Sequence, residues 1–212
     1  EKIKSLLLEK EIILKEVHHR IKNNMNIITA LLTLQSDSSE DPSVIKALTD
    51  AKSRIQSMMV LYDKLYNSPD FASVSVKEYL GDLISQILKN FPLSIPIEIE
   101  KQIDDFFLNG NKLSTMGIIM NEILTNIMKY AFAGRSSGLI SIKVGLQPPV
   151  TGKGNLVSLI IQDNGNGIPE SINFDRSTGF GLSLIGLLTQ QLKGTIQINR
   201  ENGTKITLEF EK

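Results

Sequence analysis

The chain contains no cysteine, and its only two histidines, His18 and His19, are adjacent. Without thiols there are no disulfides, thiolate metal sites or sulfur nucleophiles. Two neighbouring histidines do not make a zinc site, because side chains at i and i+1 diverge on a helix. Net charge is also absent: 23 Lys and Arg balance 23 Asp and Glu. No global basic field exists to attract nucleic acid or an anionic membrane, and neither is expected as a partner of this segment. No apolar run approaches the roughly 20 residues that a membrane span needs. The chain opens inside a charged helical pattern rather than a signal peptide, which reads as a cytoplasmic piece, whole or cut from something longer. Its 212 residues suffice for one or two domains with real cores.

What is present falls into two halves with different periods. Ile3, Leu7, Leu14, Val17, Ile21, Ile28 and Leu31 recur in steps of three, four and seven, the seam of a long coiled-coil-like helix. After a polar turn, Asp41 is the expected N-cap and Pro42 the first helical residue of a second helix bearing Val44, Leu48, Ile55, Met58, Tyr62 and Leu65. Such a hairpin cannot bury both sides of its apolar stripe, so a homodimeric four-helix bundle is expected. The pattern stops around Asn67–Asp70. Residues 1–72 are therefore read as a helical hairpin and 73–212 as a separate domain. In the latter, helices are expected at 76–91, 112–131 and 182–192, with strands at 95–99, 139–144, 156–162, 195–199 and 205–210. That order suggests an α+β fold, an α/β sandwich with helices on one face of a mixed sheet.

Two polar clusters in the second half carry chemistry. At about 100° per residue, Glu122, Asn126, Lys129 and Tyr130 share one stripe of an otherwise apolar helix. Magnesium keeps much of its shell as water and phosphate oxygen, so one amide such as Asn126 suffices as its protein ligand. Lys129 can offset phosphate charge, Tyr130 offers a flat face to a base, and Glu122 can orient or deprotonate a nucleophile. The second cluster is Asp163-Asn164-Gly165-Asn166-Gly167 at the end of an apolar strand. A carboxylate there can accept from the exocyclic amine of adenine, while Gly165 and Gly167 permit close backbone approach. Gly179-Phe180-Gly181-Leu182 then opens a helix whose free amides suit phosphate. The polar stretch between Pro169 and Gly179 reads as a lid. Walker A, dinucleotide and EF-hand patterns all fail here: Leu187 and Leu188 stand where Lys and Ser/Thr would be needed, and no strand precedes the Gly179 cluster.

In this order, N-E-I-L-T-N-I-M-K-Y, D-N-G-N-G and G-F-G-L resemble the conserved boxes of the gyrase, histidine kinase and MutL type of ATPase. The resemblance covers residues 76–212. It implies ATP and Mg2+ as cofactors, Asn126 as magnesium ligand, Asp163 as adenine reader, Thr204 as its support and Glu122 as the position of a catalytic glutamate. Upstream, His18-His19-Arg20-Ile21-Lys22-Asn23-Asn24 resembles the H-H-R-x-K-N-N phosphoacceptor box of histidine kinases related to the HWE group.

The helix phase agrees. His19 points about 180° from the direction of Val17 and Ile21, while His18 lies on the flank. His19 is the expected phosphoacceptor, His18 a packing or hydrogen-bonding residue. Where many histidine kinases carry an acid after the histidine, this chain has Arg20, so Glu16 and Glu122 are both candidates to activate His19. The resemblance implies a sensor histidine kinase core of a two-component system, with a response-regulator receiver domain as partner. Its ATP domain is expected to swing on the segment near Asn67 to Ser75. A non-catalytic ATP-binding scaffold and an ATPase or protein-serine kinase of the same fold are the alternatives.

Overall fold

The structure, a computed structural model, describes residues 2–67, 73–90, 95–148, 154–170 and 180–212. The chain forms two compact units, Glu1–Phe71 and Ala72–Lys212.

The first unit is a hairpin of α1 (Lys2–Asp37) and α2 (Pro42–Asn67). Asp41 caps α2 as expected: its Oδ1 accepts from the Ser43 N–H at 2.8 Å and its carbonyl from the Ile45 N–H at 3.0 Å. The face of α1 turned to α2 differs from the expected seam. Buried His18 and half-buried Ile21, Lys22, Met25, Thr29 and Leu32 form it, at helical spacing. Val17, Ile28 and Leu31, placed in the seam by their period, expose 44 %, 46 % and 57 % of their surface. The hairpin thus closes on a partly polar face and leaves the apolar stripe outside.

The second unit is a mixed five-stranded sheet with helices on one face. Its strands are β2 (Ile97–Ile103), β4 (Gly138–Gln147), β5 (Leu156–Asp163), β6 (Thr195–Asn199) and β7 (Thr204–Glu211), ordered β2-β4-β5-β7-β6. Only β2 and β4 run parallel; the other neighbours are antiparallel. Period-two patterning puts Ile140, Ile142 and Val144, then Val157, Leu159 and Ile161, then Ile206, Leu208 and Phe210 on the buried face. Against them lie α3 (Val76–Asn90), α4 (Gly110–Asn126) and α5 (Phe180–Gln191). Leu113 and every residue from Thr115 to Thr125 of α4 are buried. A helix buried on all sides is the centre of a core.

Several bounds depart from expectation. Strand β2 begins at Ile97 rather than Ile95, because Pro96 has no N–H to give the ladder. Two short strands, β1 (Ser73–Ser75) and β3 (Phe107–Asn109), pair antiparallel and were not expected, being too short to show a period. The expected helix 112–131 starts earlier, capped by Asn109 Oδ1 accepting from the Lys112 N–H at 2.9 Å. It then changes at Ile127–Ala131 into a π-helical turn.

Candidate active site

The π-helical turn alters the stripe read from the sequence. Glu122 and Asn126 lie on regular helix, but Lys129 and Tyr130 lie on the wider turn, where about 100° per residue no longer holds. Lys129 is half-buried and Tyr130 is 53 % exposed. Glu122, although a carboxylate, is 6 % exposed. Its Oε2 lies 2.8 Å from where a Cβ on Gly181 would stand, and Asn126 Nδ2 lies 4.0 Å from the same point. Glu122, Asn126 and the first turn of α5 therefore converge. A side chain at Gly181 would fill this space, and half-buried Leu182 follows it. Gly179 and most of the expected lid lie outside the described residues.

The second cluster meets the end of the same helix. Strand register places Asp163 between Ile140 of β4 and Thr204 of β7. The loop after it then turns back onto the π-helical turn, where the Asn166 N–H donates to the Ala131 carbonyl at 2.7 Å. Gly165 is required: a Cβ there would collide with the Ala131 carbonyl and side chain. Gly203, at φ +106°, is required too, since a Cβ would strike the Asp163 carbonyl. Gly167 sits at φ +79° beside Gly203.

Asp163 is 1 % exposed. Its Oδ1 accepts from the Gly165 N–H at 2.7 Å, and its buried Oδ2 has no hydrogen-bond partner. Burial pushes its pKa above the usual carboxylate value, opposed by the Gly165 N–H, by the nearby Thr204 N–H and hydroxyl, which act on the carboxyl without forming a hydrogen bond to Oδ2, and by the Arg135 charge. A buried acceptor left unsatisfied is costly and marks a place for a donor. The amine of a base bound there would be one.

Three contributors were missed by sequence reading. Asn164 Oδ1 accepts from the Leu139 N–H at 2.8 Å, Asn166 Nδ2 donates to the Ala133 carbonyl at 2.8 Å, and Arg135 donates to both Gly165 and Asn166. The asparagines could have been found inside the D-N-G-N-G run. Arg135 sits in a polar loop with nothing to distinguish it.

In the hairpin, His19 is exposed and His18 is 7 % exposed. The His18 ring stacks on Tyr62 of α2 at 5.6 Å, and its Nε2 lies 3.6 Å from Asp63 Oδ1. Asp63 also takes Lys22 Nζ at 3.0 Å. Burial lowers the His18 pKa; Asp63 opposes, while His19 and Lys22 act in the same direction as burial. Beside His19, Arg20 Nε holds Glu16 Oε1 at 2.7 Å on the solvent side.

Residues 16–91 match the family described as histidine kinase. Residues 112–212 match the histidine kinase-, DNA gyrase B-, and HSP90-like ATPase family. The chain is 24% identical over 206 residues to the sensor histidine kinase PdtaS of Mycobacterium tuberculosis (strain ATCC 25618 / H37Rv), covering 95% of this chain and 40% of that protein. It is also 24% identical over 206 residues to blue-light-activated histidine kinase 2 of Erythrobacter litoralis (strain HTCC2594), covering 93% of this chain and 56% of that one. It thus spans about half or less of these relatives. Among solved structures, the histidine kinase domain of the Erythrobacter litoralis EL346 blue-light activated histidine kinase shares the fold at TM-score 0.69. That likeness has 23% identity and covers 96% of this chain and 92% of that one. Its two family matches place this chain among the histidine kinases of the HWE-related type, a histidine kinase segment followed by a histidine kinase-, DNA gyrase B-, and HSP90-like ATPase domain.

Proposed function

We propose that the chain is the catalytic core of a two-component sensor kinase. On this reading residues 73–212 bind ATP, His19 of the hairpin at 1–72 takes the γ-phosphoryl group, and an aspartate of a response-regulator receiver domain takes it next. The observation that carries the proposal is the presence in one chain of a solvent-exposed His19 and a buried, unsatisfied Asp163 beside Gly165.

Asp163 Oδ2 accepts from the adenine amine, and Thr204 supports the carboxylate. Gly165 and Gly167 admit the base. Lys129, Tyr130, Gly179, Gly181 and Leu182 border the base and phosphates, the start of a helix being suited to phosphate. The Asn126 amide would hold a magnesium ion, which when bound would offset phosphate charge.

A neutral His19 ring nitrogen attacks the γ-phosphorus with its lone pair. The bond from phosphorus to the β–γ bridging oxygen breaks and ADP leaves with that electron pair. The other ring nitrogen then loses its proton to a carboxylate, Glu122 or Glu16, which leaves a neutral phosphoimidazole ring. Arg20 already holds Glu16 in an ion pair, and this favours Glu122 as the base.

The exposed stripe of Val17, Ile28 and Leu31 supports a homodimer, in which two hairpins bury it within a four-helix bundle. No helix among the described residues is long and apolar enough to cross a membrane, which fits a cytoplasmic site of action.

Incubation with ATP labelled at the γ position tests the reading. The label should appear in an acid-labile, base-stable linkage and be absent from His19→Gln. Acid-stable label, or no label from a chain that binds ATP, would replace it with a serine kinase or a scaffold.

A further inference from the structure

The loop joining the π-helical turn to β4 carries a cation that no motif singles out. Arg135 reaches across to the loop after Asp163, where its Nη2 donates to the Gly165 carbonyl at 3.0 Å and its Nε to Asn166 Oδ1 at 3.0 Å. Asn166 closes the connection from the other side, donating its N–H to Ala131 at 2.7 Å and its Nδ2 to Ala133 at 2.8 Å. Arg135 is anchored in turn by its own N–H, donated to the Phe132 carbonyl at 3.1 Å. The planar guanidinium presents its donors in a fixed fork, so the two bonds set both the position and the orientation of the loop.

We propose that Arg135 is a positioning residue for nucleotide-base recognition: its fork fixes the Gly165–Asn166 turn so that Asp163 keeps one oxygen open to the base. This rests on the reading of Asp163 as the adenine acceptor. Two observations support it beyond the bonds themselves. Gly165 lies so close to Ala131 that a Cβ on it would collide there, and the tether at its carbonyl acts on the residue whose own N–H holds Asp163 Oδ1. Of the groups acting on the Asp163 carboxyl, namely Gly165, Thr204 and Arg135, only Arg135 is charged, and its charge favours the ionised acceptor against burial.

The test is calorimetric titration of the whole 212-residue chain with ATP and with GTP across pH, for the unmodified chain, Arg135→Gln, Arg135→Lys and Asp163→Asn. Arg135→Gln should weaken ATP binding about tenfold, the scale of losing charge-assisted hydrogen bonds. It should also narrow the preference for ATP over GTP and move the acid-side loss of affinity to higher pH. Arg135→Lys keeps the charge but not the fork, so it should restore the pH profile and only part of the affinity. Unaltered affinity, preference and pH profile in Arg135→Gln would overturn the proposal, whatever its melting temperature. Should that variant not fold, Arg135→Lys decides: full ATP affinity there removes any role for the fork. Unchanged ATP affinity in Asp163→Asn would sink the underlying reading instead. Weak binding by Asp163→Asn alongside normal binding by Arg135→Gln would sink the positioning role alone.

Discussion

On α4, Ile119, Met120, Ile123 and Leu124 are at most 1 % exposed, whereas on α1 Ile27, Ile28, Leu31 and Leu34 expose between 46 % and 66 %. The residue types are the same and the helices are both well formed. What differs is the neighbour within each unit: α4 lies between other helices and a sheet, whereas α1 packs on α2 along a face that includes His18 and Lys22. The ATPase unit completes its own core. The α1–α2 interface of the hairpin holds a histidine and leaves the apolar stripe of α1 outside it. An exposed histidine can coexist with a helix pair because buried His18 and exposed His19 occupy different faces of α1.

The largest expected effect breaks the chain's two units apart functionally. His19→Gln should remove all phosphorylation while ATP affinity stays unchanged, since the residues proposed to bind the nucleotide all belong to the other unit. His18→Gln should only slow labelling, through loss of stacking on Tyr62. Label retained in His19→Gln but lost in His18→Gln, read by autoradiography before and after acid, would reverse the assignment of the two histidines.

Next in size is a direct test of the two kinds of isoleucine and leucine. Ile123→Ala removes fully buried methylenes and should cost about 2–5 kcal/mol in the ATPase unit by denaturant unfolding. Leu31→Ala should cost the isolated hairpin little. Leu31→Glu should instead lower the self-association constant seen in sedimentation, because in a bundle it would bury an unpaired charge. A monomer in the unmodified chain, or equal stability losses at both sites, would erase the contrast.

A smaller effect is expected at the base site. Asp163→Asn replaces an ionised acceptor and should weaken ATP about tenfold, roughly 1.4 kcal/mol, in a calorimetric titration. The fold should persist, as an amide keeps an oxygen for the Gly165 N–H.

Both units were legible in the sequence to different depths. Period-two strands and the Asp41–Pro42 helix start carry local signals strong enough to place them. The H-H-R-x-K-N-N and D-N-G-N-G runs stand out in the sequence because each gathers unusual residues within a few positions. What stayed hidden depends on tertiary contact. The hairpin's inner face could not be told from the outer stripe, because both recur at helical spacing and the more apolar one is outside. The π-helical turn ends at Ala131, whose carbonyl accepts the N–H of Asn166, a residue far along the chain. Arg135 is silent for the same reason: its partners lie across a strand connection.

The smallest predicted effect sets the two units against each other by pH. His18 has its pKa lowered from its ordinary value of 6.5, chiefly by burial, so the folded hairpin holds it neutral. As pH falls below 6.5 the unfolded chain takes up a proton that the folded one resists. Stability is present above the unfolded pKa and is lost as pH falls towards the folded one. Asp163 behaves oppositely. Its pKa is raised from 3.8, so its ionisation is resisted in the folded ATPase unit, and the stability tied to its neutral form is lost as pH rises through the folded value. Acidification should therefore weaken the hairpin through His18 and strengthen the ATPase unit through Asp163, in windows that begin below 6.5 and above 3.8 respectively. Melting curves of the unmodified chain, His18→Gln and Asp163→Asn across pH give each contribution by difference. The His18 difference should shrink on acidification, and the Asp163 difference should change in the opposite sense. Two differences moving together would mean that one of these groups is not held as the structure places it.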